Sequence, residues 1–532
     1  MSRKKVAIVG SGCAGIGALW ALQHTEHDIH LYESEDRLGG HTNTVTFEHD
    51  GHNTNVDTGF IVLNTATYPN FISFLKQLDV ETLPTEMTFG VSRDQGAFEW
   101  AGTSLSAVFA QRSNIFRPRM WRMIFDIIRF NQFALDLLVD ESQDLEEESH
   151  SSTGKAAAPP SFSFSKQISI GEYLEREGYS DAFRDDYLIP MTAAVWSTSP
   201  DKCSLEFPAM TLVRFMWNHH LLSTVRARPK WLTLKHGGKA YIDAVMKRFP
   251  SDRIHLSTPI ASASSSSDGR VLLRATRGTI ETFDHVILAT HGDQARQIIL
   301  QGGATEEELD ILSCFQTSAN TAVLHSDLSL MPTRPLSWSA WNYLTRSSPD
   351  ATSSNAHPSP PRSHPEVCLT YNMNMLQHIP QETYGHVLVT LNPLTEPDLS
   401  LVRGRWTYQH PLYNAAAVSA QARLPRIQNT RGISYAGAWT KYGFHEDGFS
   451  SGLKVAIEHL GAEIPFEFVD STFSRGKRPV LGWEDWMVRI AVLFVQCLIA
   501  IWGTLVLGRK ERIPVQLEGI LGRWSGKKRK AL

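Results

Sequence analysis

The sequence predicts an α/β fold in which parallel strands alternate with helices, and two observations near the N-terminus carry that expectation. The first is Gly10-Ser11-Gly12-Cys13-Ala14-Gly15, a GxGxxG pattern. It stands between an apolar strand-like run, Val6–Val9, and a helical run with Ile16, Leu19 and Leu22 at helical spacing. The second is "DIHLYES", another strand-like run, which reaches Glu33 18 residues after Gly15. Strand, glycine turn, helix, strand and acid in that order make a Rossmann-like dinucleotide unit.

Each part of that unit has a physical reason. Gly10 allows the tight turn, Gly12 lets backbone approach a pyrophosphate, and Gly15 lets helix and strand pack closely. The helix N-terminus, with Ala14 in its first turn, offers free N–H groups and a positive dipole end to phosphate. Glu33 can accept hydrogen bonds from a ribose diol. Beyond it, "SEDRLGGHTNT" supplies Arg37 and the pair Gly39-Gly40, a second segment suited to lie beside phosphate.

The order Glu33, Arg37, Gly39-Gly40 and then "NVDTGFIVLN" resembles the amine-oxidase-like flavoprotein superfamily. Further matches are "KHGGKAYIDAVMKRF" (235–249), "STPIASA" (257–263), "FDHVILATHGDQA" (283–295) and "GISYAGAWTKYGFHEDGFSSGLKVA". The resemblance implies FAD as cofactor, held non-covalently, since Thr440–Gly461 contains no Cys. The cofactor residues it implies are Gly10, Gly12, Ala14, Gly15, Glu33, Ser34, Arg37, Gly39, Gly40, His41, Thr42, Thr58, Gly59, Ile260, Thr290, Gly437, Asp447, Gly448 and Phe449. The family usually has Arg where this chain has His41. "AAVWSTSP", "FPAMTLVRFMWNHHLL", "RPKWLTLKHGG", "SWSAWNYL", "LTYNMNMLQ" and "GFHEDG" are closest to one branch, the NAD/FAD-binding oxidoreductases associated with cyclopropane-fatty-acid-synthase-like enzymes.

By that resemblance the FAD-binding domain is discontinuous, 1–75, 230–300 and 430–465, with an interleaved α+β substrate domain of 76–229 and 301–429. The stretches 140–165 and 346–366 are Ser/Pro-rich or acidic and read as mobile insertions. "SASSSSDGR" (262–270) reads as a turn between two strands. The branch motifs offer His445, Tyr371 and Asn218 as catalytic candidates, with Trp196, His220, Asn342 and Tyr343 beside them. In "GFHEDG" the acids of Glu446 and Asp447 suit the N-terminus of a helix entered at Gly448, and Gly461 suits its C-terminal cap.

Composition narrows the field. Lys plus Arg is 51 against 55 Asp plus Glu, a formal charge of −4, which gives no basis for a nucleic-acid partner. Cys13, Cys203, Cys314, Cys368 and Cys497 form no CxxC pair, so neither a zinc ribbon nor a disulfide framework is expected. No metal site is expected either, because the adjacent His219 and His220 diverge in any regular structure. The N-terminus passes directly into a strand without a signal-peptide core, and a reducing compartment is expected.

The C-terminal tail, 466–532, differs in character. Residues 490–507 carry no charge over 18 positions, near the length that spans a bilayer core. Trp483, Trp486 and Trp502 flank that run, and a basic tail follows. A membrane helix or a helix lying in the interface is expected, on the endoplasmic reticulum with the large domain facing the cytosol. The final "KRKAL" resembles a dilysine-type retrieval signal.

These features predict an FAD-dependent oxidoreductase acting on a lipophilic small molecule such as a fatty acyl, polyketide or isoprenoid chain. The superfamily resemblance leaves two alternatives open. One is a flavin amine oxidase making imine and hydrogen peroxide, and the other is a non-catalytic flavin-binding partner of enzymes in a lipid or secondary-metabolite pathway.

Overall fold

The computed structural model describes residues 2–139, 168–196, 205–223, 229–347, 366–476 and 478–507. The insertions 140–165 and 346–366 lie outside those residues, apart from a few at the ends of the second, as do Cys203 and the basic tail from Gly508. The chain forms two compact units. The first comprises Met1–Gln111, Thr192–Cys203 and Pro229–Ser471, and the second Arg112–Met191, Ser204–Arg228 and Thr472–Leu532.

The first unit is built on a five-stranded parallel sheet. Its order is Ile254–His255, β2 (Asp28–Tyr32), β1 (Lys5–Val9), His285–Leu288 and Ile433–Tyr435. The central strands read as nearly continuous apolar runs because both faces are covered. Val9 pairs with both Tyr32 and Leu288, and Leu288 pairs with Tyr435. The strands therefore end together, and the Gly10 turn, Glu33, Ala289-Thr290 and Ala436-Gly437 all leave the sheet at one edge. Ligands of open parallel sheets bind at this carboxyl edge.

Two helices cover one region of that sheet with almost no space between them. Helix α1 (Cys13–Leu22) is buried along nearly its whole length. It crosses the helix His445–Leu460, and the crossing needs glycine on both sides. A Cβ on Gly17 would stand 2.8 Å from the Phe449 carbonyl oxygen, and one on Gly452 would stand 1.9 Å from that of Ala14.

The same unit holds a seven-stranded sheet ordered Val402–Pro411, Thr317–His325, Leu388–Leu391, Glu366–Asn372, Trp341–Arg346, Phe89–Arg93, Phe98–Ala101. The stretch 301–429, read with 76–229 as the interleaved substrate domain, lies in the same compact unit as the dinucleotide sheet. Polar links hold the two parts together. Asn43 and Thr58 bond the Tyr408 hydroxyl at 3.0 and 2.7 Å, and Asp57 accepts from Gln377 at 2.9 Å. Of the stretch 262–270 expected as a turn, 262–265 belongs to the strand Ile260–Ser265, and 266–270 makes the turn to the antiparallel strand Val271–Ala275.

The second unit is helical among its described residues. Its helix Pro118–Phe133 buries Met120, Met123, Phe130 and Phe133 on one face. The tail helix Trp483–Leu507 contains the expected 490–507 run and packs on Pro118–Phe133. The expectation of a transmembrane span is not supported: among the described residues no helix is long and apolar enough to cross a membrane. The inner face of the tail helix gives a physical reason, since it is committed to protein. There Val492, Gln496 and Arg489 are buried, and Arg489 donates to the Gln132 carbonyl and to Asp136.

Candidate functional site

The glycine turn combines two tight positions with one open one. Gly10 has φ +100°, and a Cβ there would stand 2.6 Å from the Ala289 carbonyl oxygen. A Cβ on Gly15 would fall 1.9 Å from the Gly10 carbonyl oxygen. Gly12, the residue before helix α1, is different: a Cβ there meets nothing within 4 Å. The N-cap residue of that helix, Gly12, offers no side-chain cap to its first N–H groups. That is the shape a pyrophosphate requires.

A second loop closes on the first. Gly39 N–H donates to the Ser11 carbonyl at 3.2 Å and to Ser11 Oγ at 3.1 Å. A Cβ on Gly40 would stand 3.3 Å from Gly12 Cα. Arg37 braces this loop by donating to the Gly40 carbonyl at 2.9 Å. Glu33, buried at the end of β2, accepts from Ser11 N–H at 2.9 Å, and Ser34 Oγ donates to it at 3.0 Å. Thr258 N–H donates to the Glu33 carbonyl at 2.8 Å, which brings the segment leading to Ile260 alongside the acid.

At the other side the helix His445–Leu460 begins against helix α1. A Cβ on Gly448 would stand 2.5 Å from Cys13 Sγ, so the two helix N-termini meet. Burial pushes the Cys13 thiol up to about 12, which leaves it protonated and no nucleophile. The sequence placed the His-Glu-Asp trio in a loop ahead of a helix starting at Gly448. The structure starts the helix at His445, and the trio is its first turn. Asp447 accepts from Phe444 N–H at 2.9 Å, the capping role expected of it. Burial raises its carboxyl to about 6. Gly461 closes the helix in the left-handed region with φ +65°. Glu446 reaches away to the start of helix α2 (Pro69–Gln77), accepting from Asn70 N–H at 3.0 Å and Phe71 N–H at 2.9 Å.

His445 and Tyr371 belong to the first unit and Asn218 to the second, each in its own surroundings. His445 lies inside an aromatic cluster, stacked on Phe60 at 3.7 Å, and Tyr241 OH is 3.1 Å from its Nε2. Tyr241 in turn bonds Thr42 Oγ1 at 2.8 Å. Burial depresses the His445 imidazole to about 3, so it stays neutral and packed rather than facing outward as a base. Tyr371 is buried edge-on to Trp341 in the seven-stranded sheet. Asn218 lies in the second unit, where its amide donates to the Thr472 carbonyl at 2.7 Å. Asn342 is taken up by the Ser339 backbone and the Thr370 carbonyl. Among the described residues no group of three His, Cys, Asp or Glu side chains is arranged so that it could hold a metal ion.

The sequence reading passed over a cluster of imidazoles at the same sheet edge. His41 follows Gly40, and its ring stacks on His410 with centroids 5.2 Å apart and lies 5.6 Å from His291. His291 follows Thr290 at the end of its strand, and His410 closes the strand Val402–Pro411. The signal available was positional for two of them: His291 follows the strand His285–Leu288 and His410 stands near the end of Val402–Pro411, while His41 lies in the loop after Gly39-Gly40.

Comparison with known proteins follows this geometry. The family model described as flavin containing amine oxidoreductase matches residues 13–458. Solved structures with similar folds include a CLA-producing fatty acid isomerase from P. acnes, at 14% identity and TM-score 0.55, covering 86% of this chain and 99% of that one. A putrescine oxidase, in its wild-type form bound to putrescine, matches at 14% identity and TM-score 0.55, covering 86% and 99%. A putative protoporphyrinogen oxidase from Exiguobacterium sp. 255-15 matches at 16% and TM-score 0.54, covering 85% and 98%. At such identities the likeness shows the fold alone. An L-amino-acid oxidase of Pseudechis australis is 42% identical over 48 residues, which is 9% of this chain and 9% of that protein.

Proposed function

The chain belongs to the flavin-containing amine oxidoreductase family, and from that premise we propose that its substrate is a lipophilic small molecule, a fatty acyl, polyketide or isoprenoid chain that is dehydrogenated or has a double bond moved. FAD is the cofactor, and the open cradle at Gly12, the Gly39-Gly40 loop and Glu33 are the residues that would hold it. When bound, FAD supplies a ring that accepts a hydride. The branch associated with cyclopropane-fatty-acid-synthase-like enzymes fits this reading.

One observation carries the choice of a lipophilic substrate over an amine. An amine substrate arrives as an ammonium ion and is held best by a free carboxylate. Most of the buried carboxylates of this region are already engaged. Asp57 accepts from Thr44, Gly238 N–H and Gln377, and Glu446 from Asn70, Phe71 and Ser450. Asp447 accepts from Phe444 N–H, and Glu33 from Ser11 N–H. Asp293, beside His291, is the exception: it holds Thr317 with one oxygen and leaves Oδ1 buried without a partner. The other groups here are aromatic or imidazole: Phe60, Tyr241, Tyr408 and the three histidines.

The test is anaerobic addition of unsaturated fatty acids and of amines, in parallel, to the FAD-loaded protein. The expected result is bleaching of the visible flavin band, or a shifted double bond seen by mass spectrometry, with the acyl chain alone. Bleaching by amines with peroxide on re-aeration supports the amine-oxidase reading instead. No response to any substrate or reductant supports a non-catalytic flavin-binding partner.

Membrane association belongs to the same reading, in an interfacial and not a spanning form. The tail helix leaves Trp483, Met487, Ile490, Phe494, Leu498 and Ile501 exposed in one stripe, with Phe494 64% exposed. Such a face suits the boundary between headgroups and acyl chains. The location proposed is the endoplasmic-reticulum surface, with the large domain in the cytosol. Flotation with phosphatidylserine-containing vesicles is expected to carry the wild type up. The double variant Ile490→Asp/Phe494→Asp should lose about tenfold or more in binding. Equal flotation of the two overturns the assignment.

A further inference from the structure

We infer that His41, His410 and His291 form a proton-linked anchor for the pyrophosphate of FAD, so that the cofactor binds together with a proton. This rests on the FAD reading above and adds to it a way in which pH controls loading.

Position is the first argument. His41 is joined to Gly40, whose missing Cβ faces Gly12 Cα, and its carbonyl lies 2.2 Å from where a Gly59 Cβ would be. His291 follows Ala289-Thr290, and the Ala289 carbonyl closes on Gly10. Both histidines are thus one or two residues from the backbone that lines the cradle. His410 is brought to them by the seven-stranded sheet and lies face to face with His41 at an interplanar angle of 7°.

Orientation is the second. His410 Nδ1 is 2.9 Å from Asn320 Nδ2, and the Asn320 Oδ1 is held by Asn392 Nδ2 at 2.7 Å. The amide therefore donates to Nδ1, and the ring carries its proton on Nε2. A fixed Nε2 donor on a half-buried ring stacked against a second imidazole is chemically suited to an anion.

Charge is the third. Around His41 stand Arg37, His291, His410 and His445, all of which disfavour a proton on it. Arg37 is itself paired with Glu35 at 3.1 Å. The Tyr408 hydroxyl, beside His41, is occupied by Thr58 and Asn43. His291 has Asp293 near it, and that carboxylate accepts from Thr317 Oγ1 at 3.0 Å. His410 has His291. Burial lowers all three rings; repulsion from neighbouring imidazoles adds to it at His41 and His410, the latter lowered to about 4, while Asp293 works against it at His291. A pyrophosphate supplies the negative charge they lack and raises their proton affinity. Protonation then occurs on binding, so affinity rises as pH falls through the window between the free and bound values.

The experiment uses FAD-stripped full-length protein. FAD affinity is measured by flavin fluorescence at pH 6, 7 and 8, and proton uptake by calorimetry in two buffers of different ionisation enthalpy. The expected result is a loss of affinity of up to about tenfold per pH unit on raising pH, with uptake near one proton. His410→Gln and His41→Gln should each flatten that slope, while His41→Arg should bind FAD tightly at every pH. ADP-ribose, whose pyrophosphate is diesterified as in FAD and does not itself titrate between pH 6 and 8, should compete with the same pH slope. A pH-independent FAD affinity without proton uptake overturns the anchor, as does a slope that survives both glutamine variants or competition by ADP-ribose without one. Absence of FAD binding at every pH overturns the cofactor reading as well, which separates the two failures.

Discussion

Gly12→Val should leave the apoprotein folded with an unchanged melting temperature and lower FAD affinity by about 100-fold, close to 3 kcal/mol. The contrast with Gly15→Val makes this informative. At position 12 the backbone has φ −63° and ψ 179°, which any residue adopts, and a Cβ meets no atom within 4 Å. A valine there enters only the space that the dinucleotide needs. At position 15 the Cβ would sit 1.9 Å from the Gly10 carbonyl oxygen, and strand, turn and helix must separate to admit it. Gly15→Val should therefore fail to fold at ambient temperature. Thermal melts and FAD titrations of both variants check this. If Gly12→Val binds FAD as the wild type does, the cradle is not the pyrophosphate site.

The second large effect is on stability. Glu446→Ala should destabilise the protein by about 3 kcal/mol, read as a lowered denaturation midpoint with the m-value unchanged. Glu446 is 1% exposed and receives Asn70 N–H, the Asn70 amide, Phe71 N–H and Ser450 Oγ. Removing it leaves the first N–H groups of helix α2 buried without an acceptor, and it opens a cavity. Burial pushes the Glu446 carboxyl up to about 8 in spite of those donors. The native state thus holds a proton that the unfolded chain has already released above its ordinary value of 4.5. Stability from this group is complete below about pH 4.5 and declines as pH rises toward 8. Glu446→Gln, which does not ionise, should remove that part of the pH dependence. A wild-type slope retained in the glutamine variant would contradict the assignment.

The cofactor half of the molecule was legible because its physics is local. A GxGxxG between strand and helix, an acid at the end of the next strand and a glycine pair after it are short-range requirements, and the structure places Gly10, Gly12, Gly15, Glu33, Gly39 and Gly40 together. Arg37, expected in the segment beside phosphate, donates to the Gly40 carbonyl of that loop. The surroundings of the catalytic candidates are not local in this way. Whether a histidine or tyrosine faces a ligand or a core depends on contacts hundreds of residues away. His445 is enclosed by Phe60 and Tyr241, and Tyr371 by Trp341. The imidazole cluster escaped notice because residues 41, 291 and 410 meet only when both sheets have formed. The tail helix shows a related limit. Hydropathy registered its apolar length, while the buried Arg489 that ties it to Gln132 and Asp136 is a tertiary fact.

The central claim is that the open turn at Gly12 holds a non-covalent FAD. The most direct measurement is the visible spectrum of the purified full-length protein, recorded before and after acid precipitation. The account predicts a yellow protein with flavin bands, whose precipitate is colourless and whose supernatant contains one FAD per chain. A colourless protein that takes up no FAD, or flavin that stays with the precipitate, would contradict it.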